Sequence, residues 1–87
     1  MAGKRILLVE DNAINRRLAQ FLLKSHGYEV SEVGNAREAF AEIAKRRPDL
    51  ILMDIQLPGM DGLTATKELK AQPLTREIPV VAVTSYA

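Results

Sequence analysis

The 87-residue sequence has no cysteine, no tryptophan and a single histidine. Without thiols it can form neither disulfides nor thiolate metal centres, and by default it reads as an intracellular, cytoplasmic chain. Its longest strictly apolar runs are Ile6 to Val9, Leu50 to Met53 and Val80 to Val83. Each falls far short of the ~20 residues of a membrane helix or the ~7–15 of a secretory h-region. Twelve basic and eleven acidic residues leave a formal charge of +1, so no general attraction to nucleic acid or an anionic membrane is expected. There is no internal repeat and no low-complexity segment. What remains is 47% hydrophobic and 26% charged, the composition of one folded domain over residues 1–87. A domain of this size buries only ~60–65% of its unfolded surface, so its stability is expected to be modest.

Arg5 to Val9 is an apolar strand ending on Glu10 and Asp11, with Asn12 placed to cap the helix that follows. That helix is predicted from about Ala13 to His26, with Ile14, Leu18, Phe21 and Leu22 at the spacing of one buried face. Arg16, Arg17, Gln20 and Lys24 fall elsewhere and are expected in solvent. Gly27 suits a left-handed C-cap. Tyr28 to Val33 alternates in polarity, the mark of an outer strand with one wet side. Asn35 and Glu38 form a capping pair for a second helix with Ala36, Ala39, Phe40 and Ile43 inward, and Lys45, Arg46 and Arg47 are expected on its last turn.

Pro48 stops that helix, and Asp49 to Met53 forms a strand that delivers Asp54 to the rim. After a turn at Leu57-Pro58-Gly59, Asp61 can cap a third helix over about residues 62–71, with Leu63, Thr66 and Leu69 buried. A polar loop from Gln72 to Glu77 precedes a fourth strand, Pro79 to Val83, which ends in Thr84 and Ser85.

Alternating strands and helices imply parallel strands joined by right-handed crossovers. The two most apolar early strands belong in the centre and the alternating one outside, which predicts an α/β flavodoxin-like sheet of order 2-1-3-4. Ligands of such sheets bind beyond the carboxyl ends of the strands where the winding reverses, here between strands 1 and 3. Strands ~4.8 Å apart would bring Glu10, Asp11 and Asp54 together there. Crowded carboxylates repel, and an all-oxygen site with open positions suits Mg²⁺, which keeps waters and reaches for phosphate. The chemistry expected is a phosphoryl group held in line with a carboxylate nucleophile.

Three stretches carry a family resemblance: Glu10-Asp11-Asn12 after the first strand, Met53 to Gly62, and Pro79 to Ser85. Together they resemble the receiver domain of two-component response regulators, particularly stand-alone receivers of the cell-division type and the receivers of hybrid kinases. The resemblance implies that Asp54 is the phospho-acceptor, that Asp11 and the Gln56 main-chain carbonyl join it on Mg²⁺, and that Glu10 assists through water. It further implies that the Thr84 hydroxyl follows the phosphoryl group. The donor would be a phosphohistidine on a histidine kinase or phosphotransfer protein.

The family pattern continues with a fourth helix, a fifth strand bearing a lysine that pairs with the phosphoryl group, and a fifth helix. Nothing in the sequence matches these. The expectation is therefore a receiver truncated after its fourth strand, with transfer impaired; Lys67 and Lys70 match no such motif. Val80 to Val83 has the unbroken apolar pattern of a covered strand, yet it would be the edge of four. That conflict predicts a homo-oligomer, most simply a two-fold dimer covering the fourth strand. A self-assembling fragment without transfer activity is the alternative, and a nucleotide or flavin binder is disfavoured by the absence of a glycine-rich phosphate cradle. His26 is read as a surface or capping residue, and Met53 and Met60 as packing.

Overall fold

The computed structural model describes residues 3–54 and 62–83. They form β1 (Arg5–Val9), α1 (Ala13–Ser25), β2 (Glu29–Val33), α2 (Ala36–Lys45), β3 (Leu50–Asp54), α3 (Gly62–Ala71) and β4 (Val80–Val83). All pairings are parallel and the spatial order is β2-β1-β3-β4, as the apolar content of the strands predicts. The expected turn at Leu57-Pro58-Gly59 and the Asp61 cap lie outside the described residues, as do Gln56 and Thr84.

Residues paired across a parallel ladder share a face of the sheet. Leu7, Ile51 and Val80 are in register, as are Val9 and Met53. On this face they meet Ala36, Ala39 and Ile43 of α2, Ala65 and Leu69 of α3, and Ile78, forming one buried core. Three alanines at the helix contacts let α2 and α3 lie close to the sheet. The opposite face carries Ile6, Leu8, Leu50, Leu52 and Val81. There α1 packs along β2 and β1 and buries Ile6 and Leu8.

The stripe expected to be the inward side of α1 is not inward. Ile14, Leu18, Phe21 and Leu22 are each more than half exposed, and no residue of α1 is fully buried. The helix is instead held toward β2. Arg16 pairs with Glu32 at 3.4 Å, the Tyr28 amide donates to the Leu23 carbonyl at 3.3 Å, and the half-buried Ala19 and Leu23 are on the inner side. These contacts fix the rotation of the helix and turn its most apolar stripe to solvent.

Smaller departures have equally local causes. Leu63 is exposed, and the buried side of α3 is built by Gly62, Ala65 and Leu69; Thr66 is half-buried and donates to the Gly62 carbonyl at 2.7 Å. The second helix ends at Lys45, so Arg46 is its C-cap and Arg47 lies beyond it. Arg47 donates to the Leu74 carbonyl rather than sitting at the helix end. The connection after α3 is not simply a polar loop. Thr75 is buried and donates to the Leu69 carbonyl at 2.5 Å, Ile78 enters the core, and Lys70 Nζ bonds the carbonyls of Arg76 and Ile78 at 3.1 and 2.8 Å. Gly27 takes a φ of 88° and donates to the Lys24 carbonyl, which is the left-handed helix end expected of it. β4 is the edge strand among the described residues, with Val81 47% exposed.

Candidate functional site

The ladder between β1 and β3 runs in register to Val9 and Met53. One residue further along each strand stand Glu10 and Asp54. Glu10 is kept in line with the sheet by donating its amide to the Val33 carbonyl of β2 at 3.1 Å. Asp54 is fully buried, Glu10 is 5% exposed, and Asp11 stands open at the rim. Glu10, Asp11 and Asp54 each offer a carboxylate oxygen within 4.8 Å of the others. The three acids singled out in the sequence are thus brought together where the winding of the sheet reverses.

Local hydrogen bonding explains how the chain leaves β1 without dispersing them. Asn12 caps α1, its side chain accepting from the Asn15 amide at 2.9 Å, while its own amide donates to Glu10 Oε2 at 3.2 Å. The helix begins immediately after the acids, so Asp11 is held between a strand end and a helix cap.

Burial pushes the Glu10 carboxyl from its ordinary 4.5 up to about 7, reinforced by its hydrogen bond with Asp54 and by the negative charges of Asp54 and Asp11, and opposed by the Asn12 amide. Like charges forced together in a low-dielectric niche favour keeping a proton or gaining a cation. All the donors are oxygen, one carboxylate faces solvent, and two are buried, a set that fits a hard divalent ion with room left for water or phosphate.

Sequence reasoning passed over one residue here. Arg16 was expected in solvent with Arg17, Gln20 and Lys24. Instead it is half-buried, and its Nη1 donates to the Glu10 carbonyl at 3.0 Å while its Nε pairs with Glu32. No local pattern signals this, because the rotation of α1 is set by its contact with Glu32 on β2. His26 is exposed, and its Nδ1 lies 2.9 Å from the Leu22 carbonyl at the C-cap of α1, in keeping with a capping use.

A family model described as the response regulator receiver domain matches residues 6–87. The polar-differentiation response regulators DivK of Brucella anthropi and Brucella ovis are 48% and 45% identical over 84 residues, covering 97% of this chain and 68% of theirs. Among solved structures, the receiver domain of a signal transduction histidine kinase from Syntrophus aciditrophicus superposes with a TM-score of 0.91 at 38% identity, over 98% of this chain and 64% of that one. The receiver domain of a Pseudomonas aeruginosa sensor histidine kinase, determined with a magnesium ion coordinated in its active-site cleft, gives a TM-score of 0.86 at 43% identity, over 93% of this chain and 66% of its own. The chain therefore spans about two thirds of the length of the proteins it matches. The strand order, the three acids at the switch point and these similarities agree: the chain belongs to the response regulator receiver domain family of two-component systems.

Proposed function

We propose that this chain accepts a phosphoryl group on Asp54 from a phosphohistidine of a histidine kinase or phosphotransfer protein. The observation that carries the reading is the convergence of Glu10, Asp11 and Asp54. The Asp54 carboxylate oxygen attacks phosphorus, the phosphorus–nitrogen bond of the donor breaks with its electron pair going to nitrogen, and an aspartyl phosphate and a neutral imidazole result, the ring already carrying a proton on its other nitrogen or taking one from water. Mg²⁺, when bound, supplies the positive charge that offsets the three carboxylates and the incoming phosphoryl oxygens.

Asp11 and Asp54 would hold the ion directly, with the Gln56 carbonyl as a third ligand and Glu10 acting through water. Burial restricts the motion of Asp54, so its oxygens are presented in one orientation at the end of β3. Thr84 would donate its hydroxyl to the transferred group. The 87 residues contain no match to the family's lysine, so their own reaction is expected to be slow. The test is intact-mass analysis after incubation with a small acyl phosphate and Mg²⁺. One added phosphoryl group, absent in Asp54→Asn and without Mg²⁺, supports the reading; an unmodified Asp54 overturns it.

A second reading, self-assembly without transfer, is favoured by the apolar surface of α1 and by the outer edge of β4. A two-fold dimer would cover the fourth strand of each copy, the edge strand among the described residues. Light scattering that finds a well-folded monomer at micromolar concentration counts against it.

A further inference from the structure

The end of β1 bears Glu10 and Asp11, so whatever fixes that end fixes the acids. Two side-chain atoms do so from outside the cluster. Arg16 Nη1 donates to the main-chain oxygen of Glu10 at 3.0 Å, and Arg16 Nε lies 3.4 Å from Glu32 Oε1. One guanidinium thereby joins the first turn of α1, the last residue before Asp11, and β2. Neither Arg16 nor Glu32 belongs to the carboxylate cluster. A planar fork with several donors can grip a carbonyl and a carboxylate at once, which an ammonium on a flexible stem does less well.

We propose that Arg16 is a positioning residue for the acidic site: bridging the Glu10 carbonyl and Glu32, it holds the end of β1 where Glu10 and Asp11 face Asp54. The inference rests on the receiver reading above. Removing the bridge frees the peptide between Glu10 and Asp11 without deleting any metal ligand, so the loss falls on affinity for the divalent ion.

The test is calorimetric titration of the 87-residue chain with Mg²⁺, comparing wild type, Arg16→Gln, Arg16→Lys, Glu32→Gln and, as a control on the same helix, Arg17→Gln. Arg16→Gln is expected to weaken binding about tenfold, as removal of supporting partners does at metal sites. Arg16→Lys should recover part of the loss, Glu32→Gln should show a smaller loss, and Arg17→Gln should match wild type. Amide hydrogen exchange without metal supplies a second readout, with faster exchange at Asp11 and Asn12 and none of that change at Ile51 and Met53. If Arg16→Gln lowers the melting temperature but binds Mg²⁺ like wild type, the residue is merely structural and the inference fails while the receiver reading stands. If wild type binds no Mg²⁺, the proposed Mg²⁺-assisted acceptance on Asp54 fails and takes the inference with it. Should Arg16→Gln not fold, Glu32→Gln decides, since it removes the same bridge from the β2 side.

Discussion

The face of the sheet under α2 and α3 and the face under α1 contain similar residues and reach different ends. Leu7, Val9, Ile51 and Met53 on the first are essentially sealed from water, together with Ala39, Ala65 and Leu69 of the helices above them. On the second, Ile6 and Leu8 are sealed, but Val81 and the large side chains of α1 are not. Apolar spacing along a helix states that a stripe exists; it does not state which way the stripe points. In α2 the stripe and the anchoring contacts coincide. In α1 the Arg16 bridge and the Leu23 carbonyl hold a different side of the helix to the sheet. The acidic site hangs from strands secured chiefly by the first face.

If the two faces differ in this way, Ile51→Ala should remove about 3 kcal/mol from a total near 5–10 kcal/mol, because a sealed site cannot refill the cavity. Urea denaturation reads this directly. The next effect comes from the acids. A carboxyl raised to about 7 when folded binds its proton more tightly than the unfolded chain does. Stability without metal should therefore fall as pH rises from about 4.5 to about 7, with the full penalty above that. Glu10→Gln should lack this fall, and thermal melting of the two proteins across the window shows it as a widening difference in favour of the variant.

Smaller still are the caps. Asn12 and Asn35 accept from Asn15 and Glu38 at the same 2.9 Å, so Asn12→Ala and Asn35→Ala should each cost about 1 kcal/mol. Equal costs would show that the helices differ through their faces and not through their ends. Least of all, Phe21→Ala should change the stability of the monomer by less than about 0.5 kcal/mol, as for an open surface site. A loss matching that of Ile51→Ala, measured at a dilution where the chain is monomeric, would erase the contrast between the faces.

Much of this was legible in the residues. The strand order followed from comparing apolar runs with the alternating Tyr28 to Val33, and both asparagine caps from their position ahead of a periodic stretch. Convergence of Glu10, Asp11 and Asp54 followed from that order alone. What could not be read was helix rotation, because it depends on long-range bonds such as Arg16 to Glu32 that no local pattern encodes. The same holds for Thr75, whose hydroxyl is buried only because the chain folds back onto the Leu69 carbonyl, and for Arg47, which reaches across to Leu74.

Lys70 carries a consequence for the proposed phosphoryl chemistry. Its ammonium is committed to two carbonyls at the approach to β4, at the far end of a ten-residue helix whose first turn follows the acids, roughly 12 Å along the axis. A cation so tethered stitches the third crossover shut and is withheld from any anion arriving at Asp54. In the proposed reaction, charge compensation at Asp54 would come from a source other than Lys70.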